Sequence, residues 1–226
     1  YYIPDILFFI SGFLLAKKAF ALIEVEPRAE RAIFRIFTKK VIHWVPIYWA
    51  VIIIYWQISP YLHAGPVWYE YETEAKNCNG GWWHALLFID NWFDDGCYNF
   101  AWYIPVEIQL CLTGVGMMWV YLKNKKAGIA LLIATTLATW ILTLTISAPF
   151  PTSLDTTLSY NTLRYFKSTY SHMPYYLIGI INGYFAHKEK TREMLRKLTH
   201  NKYFRVFGIM LGYFLVVLIV LRPSVW

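Results

Sequence analysis

Charge is scarce in this 226-residue chain: 15% of residues are Asp, Glu, Lys or Arg, against 58% that are hydrophobic. A soluble domain is about a quarter charged and a little under half apolar, so an ordinary water-soluble globule is excluded. Acids are scarcer than bases, 14 against 21, which leaves a net charge of +7. Such a surplus can mark a nucleic-acid binder, but here the bases gather in short segments between apolar runs, where they act as topology signals. Cysteine occurs three times, without metal-ligand spacing. There is no His-Glu-x-x-His zinc signature, no P-loop, no dinucleotide glycine fingerprint and no Gly-x-Ser-x-Gly elbow, so no metal or covalently bound cofactor is expected. Glycosylation acceptors, internal repeats, low-complexity linkers and a signal-peptide pattern are also missing, so residues 1–226 read as one domain. The chain opens at Tyr1, already at the edge of an apolar segment, and we expect further sequence upstream.

What is present is long apolar runs and aromatics, the latter 19% of residues, as suits interfacial belts of Trp and Tyr. Six runs approach the roughly 20 apolar residues that cross a bilayer: about 3–23, 41–59, 101–122, 127–148, 172–187 and 203–221. The expected fold is therefore all-α, a polytopic transmembrane helix bundle with six spans. Residues 17–40 carry seven Lys or Arg against three Glu, 123–126 three Lys and no acid, and 187–205 seven bases against two Glu. Residues 60–100 carry one Lys against six acids. Basic and non-basic loops alternate, so 17–40, 123–126 and 187–205 are expected on the cytoplasmic side and 60–100 and 150–170 on the other.

Cys78 and Cys97 both fall in the acidic outer loop 60–100, where a disulfide closing about 19 residues would add around 3 kcal/mol. Such a loop suits the secretory pathway or the cell surface. Cys111 reads as a small packed apolar residue. The same loop interleaves Trp82, Trp83 and Trp92 with Asp90, Asp94 and Asp95, which could bind a sugar or headgroup but by default form an interfacial belt. Asp5 can hydrate at the edge of the first span, and Ser11-Gly12 is small enough to admit a neighbouring helix.

Arg28, Arg31, Arg35 and Lys39 recur at spacings of three, four and four, which lines them along one helical face, with Lys40 beside them. The stripe can grip the phosphates of a nucleotide-bearing donor, since Arg matches phosphate oxygens bidentately. It can as simply rest on anionic lipid headgroups. His43 and His172 lie just inside the second and fifth spans, where an imidazole can relay protons or hydrogen-bond a backbone carbonyl. Glu107 is the costliest residue in the chain: a carboxylate inside the third span, two places after Pro105 and two before Gln109. A charge there costs about 3 kcal/mol on insertion scales and is commonly functional, although a structural polar anchor explains it too.

Taken in order, these stretches resemble the membrane acyltransferase 3 family, and within it the nose-resistant-to-fluoxetine-like branch. Asp5 to Leu15 is similar to the family's Asp-x-Phe-Phe-x-x-Ser-Gly-Phe-Leu signature. Lys39-Lys40-Val-Ile-His43-Trp-Val-Pro46-Ile-Tyr48 is similar to its basic helix running into Arg-x-x-Pro-x-Tyr. Cys78, Trp82-Trp83, Leu86-Leu87-Phe88-Ile89-Asp90-Asn91, Cys97, Trp102-Tyr103-Ile104 and Glu107-x-Gln109 follow the branch's order. Tyr170 to Gly179 with Gly183-Tyr184 resembles its Arg-x-x-Pro-Tyr-Leu-x-Gly…Gly-Tyr segment. The resemblance implies transfer of an acyl group from cytosolic acyl-CoA, the donor substrate, to a hydroxyl of a sugar or lipid acceptor. It places the family's essential histidine ahead of Tyr1, and two of its arginines read His here, at His43 and His172. On this reading Glu107, His43 and His172 are the catalytic candidates, and Arg28, Arg31, Arg35, Lys39 and Lys40 hold the donor's phosphates. The expected partners are membrane lipids and acyl-CoA, with room for other membrane proteins and none for nucleic acid. The rival expectations are a non-catalytic membrane scaffold or lipid-binding subunit, and a transporter using Glu107, His43 and His172 as proton-coupled groups.

Overall fold

Hydrocarbon offers no hydrogen-bond partners, so a chain this apolar must satisfy its backbone internally, and helices do so within each segment. The computed structural model describes residues 3–25, 28–58, 61, 68–93, 97, 99–147, 167–188, 193, 197, 200 and 210, and among these no strand occurs. Its helices are α1 (Ile3–Val25), α2 (Ala29–Gln57), α3 (Trp68–Leu86), α4 (Tyr103–Lys123), α5 (Lys125–Ser147) and α6 (Thr169–His187), with 3-10 turns at Asp90–Trp92 and Asn99–Trp102. Among the described residues, four stretches are long and apolar enough to cross a membrane: Pro4–Val25, Ala29–Gln57, Tyr103–Lys123 and Lys125–Ile146. α6 stays outside that set because Tyr170, His172, Tyr175, Tyr176 and Asn182 lower its hydropathy. The expected span at 203–221 and most of the loop 150–170 lie outside the described residues.

Within the basic segment 17–40, residues 17–25 end α1 and 29–40 form the first turns of α2, the helix on which the spacing of the basic stripe relies, and α2 runs unbroken through Pro46 for 29 residues. The outer segment 60–100 contains a whole helix, α3, whose acids and paired glycines disguise it as loop sequence. α3 ends with Phe88 in the left-handed region at φ 56°, the place a glycine usually takes. The Ile89 amide there donates to the His84 carbonyl at 2.9 Å, closing the helix end.

Ion pairs fix the relative directions of the helices. α1 and α6 run parallel, since Asp5 meets His172 at 2.6 Å at one end and Glu24 meets His187 at 2.7 Å at the other. α2 runs antiparallel to α4, because Glu30 pairs with Lys123 at 2.9 Å while Lys40 pairs with Glu107 further along. α4 and α5 form a tight hairpin at Asn124, whose side-chain oxygen accepts from the Lys126 and Ala127 amides. The junctions α1–α2 and α4–α5 and the end of α6 therefore gather at one basic end, the geometry that alternating crossings require.

Between these two histidine–carboxylate contacts, α1 and α6 touch backbone to backbone. A Cβ at Gly12 would overlap the Tyr176 carbonyl, and one at Gly179 would overlap the Phe9 carbonyl. Gly183, four residues on, faces Ala16 and the Phe13 carbonyl, so α6 carries the small-xxx-small spacing of close membrane helix pairs. Pro174 deprives the Tyr170 carbonyl of its helical donor, and Thr143 of α5 donates to that oxygen at 3.4 Å. Phe8, Leu110, Tyr176 and Leu177 are completely buried where α1, α4 and α6 meet. Ile133, Leu137, Ile141 and Leu144 of α5 are exposed, an apolar face suited to lipid.

The expected Cys78–Cys97 disulfide is not formed: the structure holds two buried thiols without a bond. Both belong to a second apolar cluster with Tyr48, Ile52, Ala85 and Ala101, which packs α3 and the outer turns against α2. Burial in that cluster, rather than a covalent clasp, holds the segment down. Replacing Gly179 by Ala is expected to cost about 1–3 kcal/mol, because backbone and not a flexible side chain occupies the space. Unfolding of the detergent-solubilised protein measures this, and Gly116→Ala, where nothing stands within contact distance, is the matched control.

Candidate active site at the centre of the bundle

Glu107 lies one turn into α4, on the face that also presents Val106, Leu110, Cys111 and Gly114 to the core, and only 3% of it is exposed. Pro105 precedes it within the first turn, where no intrahelical donor is lost, so α4 enters unkinked. One carboxylate oxygen, Oε1, accepts from both Ser11 Oγ of α1 and Lys40 Nζ of α2. Lys40 Nζ also donates to Ser11 Oγ at 2.8 Å, so three helices close on one triangle of polar atoms. The other oxygen, Oε2, is buried and meets no hydrogen-bond donor among the described residues. A buried charge pair holds only when its hydrogen bonds are made, and removing one partner commonly costs about 3–5 kcal/mol.

Lys40 is where the structure departs most from the expected phosphate stripe. Ile33, Ile36, Phe37 and Lys40 share one face of α2 at helical spacing, and that face turns inward. Arg31, Arg35 and Lys39 point the other way and are exposed. Arg31 and Arg35, with Glu30, Phe34 and Thr38, line a shallow open groove at the basic end. Arg28 is the residue that opens α2, its carbonyl accepting from the Arg31 and Ala32 amides. The five proposed phosphate ligands thus divide into an outward set of four and one inward lysine.

The three catalytic candidates are not brought together. His43, one turn beyond Lys40, is exposed and lies edge-on to Trp44 at 5.9 Å. His172 is buried, but its Nδ1 faces Asp5 Oδ1 at 2.6 Å rather than Glu107. Trp102 stacks on the His172 ring at 5.3 Å, and Phe8 stands 4.9 Å from it on another side. Phe8 also stacks on Tyr103 at 4.8 Å, so an aromatic layer separates the Asp5–His172 pair from the Glu107 triangle. Asp5 is therefore a partner of α6 and not a hydrated edge residue, and 167 positions of chain hide that relation from the sequence.

Gln109, two residues beyond Glu107, faces a different neighbourhood. Its Nε2 donates to the Phe88 carbonyl at 2.6 Å and to Asn91 Oδ1 at 2.8 Å. Its Oε1 accepts from Thr169 Oγ1 and, at 3.2 Å, from Trp92 Nε1. Asn91 Nδ2 in turn donates to the Lys167 carbonyl and Thr169 Oγ1. Asp90 accepts from the Cys97 amide at 3.2 Å and stays buried. This network ties the left-handed turn at Phe88 and the start of α6 to α4, on a different face of α4 from the triangle. Gln109→Leu strands Asn91 and the Phe88 carbonyl, so we expect a loss of about 1–3 kcal/mol. Faster deuterium uptake over residues 87–97, with α1 unchanged, is the signature to look for.

Among known proteins, a family model described as an acyltransferase domain matches residues 4–225. No curated protein and no solved structure matches the chain.

Proposed function

We propose that this chain, which belongs to the acyltransferase-domain family matched over residues 4–225, moves an acyl group from acyl-CoA to a hydroxyl of a sugar or lipid acceptor. The observation that carries this reading is Glu107. One of its oxygens is fixed by Ser11 and Lys40, and the other is buried with no donor among the described residues, a carboxylate oriented by its neighbours and open at one atom. The ordered motifs favour the nose-resistant-to-fluoxetine-like branch. The positive-inside rule sets the basic end in the cytoplasm, in a multi-pass membrane protein of the secretory pathway or cell surface.

On this reading the donor's phosphates rest in the groove lined by Arg31 and Arg35, where two guanidinium forks are exposed at the basic end. The acceptor oxygen attacks the thioester carbon as the C–S bond breaks. Its proton passes to a base and the leaving thiolate takes up a proton. The family's pattern supplies that base as a histidine ahead of Tyr1. Glu107 Oε2 is the group in this chain that can orient it or accept its hydrogen bond. Lys40 and Ser11 are positioning residues, since they act through Glu107. A non-catalytic scaffold is the competing reading. Its support is that His43 and His172, standing where the family pattern has arginine, do not face Glu107: His43 is exposed, and His172 meets Asp5.

Release of CoA thiol by the full-length protein in lipid nanodiscs, with hydroxyl acceptors supplied, separates these readings. Glu107→Gln is expected to lower kcat about 10²–10⁴-fold per folded molecule, with Ser11→Ala lowering it less. Arg31→Ala combined with Arg35→Ala should raise KM for acyl-CoA about tenfold and leave kcat alone. Wild-type turnover by Glu107→Gln sinks the assignment of Glu107, and absence of CoA release from the wild type favours the scaffold.

A further inference from the structure

A cleft of about 100 Å³ opens between α1, α4, α5 and α6, away from the Glu107 triangle and from the arginine groove. Phe20, Met117, Leu132, Ile181, Tyr121 and Tyr184 are among its walls, and no charged side chain lines it. It lies toward the basic end: Tyr121 precedes Lys123 by two residues, and Gly128 follows the α4–α5 hairpin. Its mouth is flanked by Ile129 and Ile133 of α5 and Phe185 of α6, all well exposed on the flank that suits hydrocarbon. The opening is therefore lateral, toward lipid.

Just beyond the mouth, the two flanking helices each end on a lysine. Lys125 stands three residues before Gly128, about 5 Å along the α5 axis. Lys188 follows α6, with its ammonium 4.6 Å from the centre of the Tyr184 ring, and both lysines lie within electrostatic reach of the Tyr184 hydroxyl. Lys123, by contrast, turns to Glu30 of α2 at 2.9 Å and stands over Trp119 at 5.3 Å, away from the cleft. A dry slot wide enough for a hydrocarbon chain, open sideways and topped by ammonium groups at headgroup depth, fits a molecule with one apolar tail zone and one anionic head.

We propose that this cleft is a binding site for an anionic glycerophospholipid of the leaflet at the basic end. One acyl chain enters between α5 and α6, and the phosphate lies between Lys125 and Lys188. The site is independent of the donor groove, because the two share no residue. The lateral mouth favours a bilayer lipid over a soluble thioester, which would approach from water at the groove.

The test uses the full-length chain in nanodiscs of phosphatidylcholine and phosphatidylglycerol in equal parts, followed by gentle delipidation and native mass spectrometry. The wild type should retain one phosphatidylglycerol in preference to phosphatidylcholine. Lys125→Ala with Lys188→Ala should cut that preference by roughly fivefold per lysine. Ile181→Trp, which fills the slot, should abolish retention of either lipid, while Thr145→Ala, at the opposite end of α5, should change nothing. Circular dichroism and gel filtration confirm that each variant folds. An unchanged lipid preference in the lysine variant overturns the headgroup assignment. Unchanged retention in Ile181→Trp overturns the site. Displacement of the retained lipid by palmitoyl-CoA, lost in Ile181→Trp, overturns the phospholipid and gives the slot to the donor's acyl chain.

Discussion

The structure depends on where two charges go once they have left water. A lone carboxylate or ammonium within a bilayer is costly, and pairing alone does not recover the cost unless the remaining hydrogen bonds are also made. Lys40 and Glu107 meet this condition at Oε1 by sharing Ser11, while Oε2 has no donor among the described residues, and the polar contact joins three helices and not two. That fixes the height of α2 against α4 and sets α1 beside both. α6 then docks on α1 through glycines that admit its backbone, with a histidine–carboxylate pair at each end to set the register. Apolar packing in lipid gives little help in choosing a register, because lipid tails are as apolar as Leu. These few polar contacts supply the specificity that a soluble protein draws from its core.

The bundle separates into layers with different chemistry. At the basic end Arg31 and Arg35 face an open groove, and Lys125 and Lys188 crown the lateral cleft. In the middle stands the Glu107 triangle, and above it the aromatic layer of Phe8, Tyr103 and Trp102 over His172. Beside them, on another face of α4, Gln109 and Asn91 hold the turn after α3 onto α4 and α6. An acyl carrier binding at one end and an acceptor approaching from the other would meet at the middle layer. This arrangement is what an acyltransferase domain within a membrane needs.

Much of this was legible in the sequence, and what was missed has identifiable causes. Helix existence and most boundaries follow from apolar run length, since a bilayer imposes a minimum span. Glu107 could be placed on a protein-facing surface because a carboxylate in lipid has no other low-cost position, and the structure puts it there. Ser11 and Gly12 were readable as packing residues, which holds for Gly12, whereas Ser11 also takes part in the polar triangle. Lys40 was grouped with the stripe by its neighbour Lys39, although its spacing from Ile33, Ile36 and Phe37 already marked the inward face. α3 was hidden because its helical pattern carries acids and a Gly-Gly pair, which resemble loop composition. The Asp5–His172 contact had no local signal at all, since only the parallel docking of α1 on α6 creates it. The thiols of Cys78 and Cys97 were correctly placed in one region but not bonded, their burial with Tyr48 doing the holding.

The central claim is that Lys40 and Glu107 act as one unit that ties the bundle together. A double-mutant cycle tests it most directly, measuring unfolding free energy of the full-length protein in bilayers for Lys40→Met, Glu107→Gln and the pair. The structure predicts that each single change costs about 3–5 kcal/mol while the pair costs clearly less than their sum. Additivity of the two changes to within about 0.5 kcal/mol would contradict it.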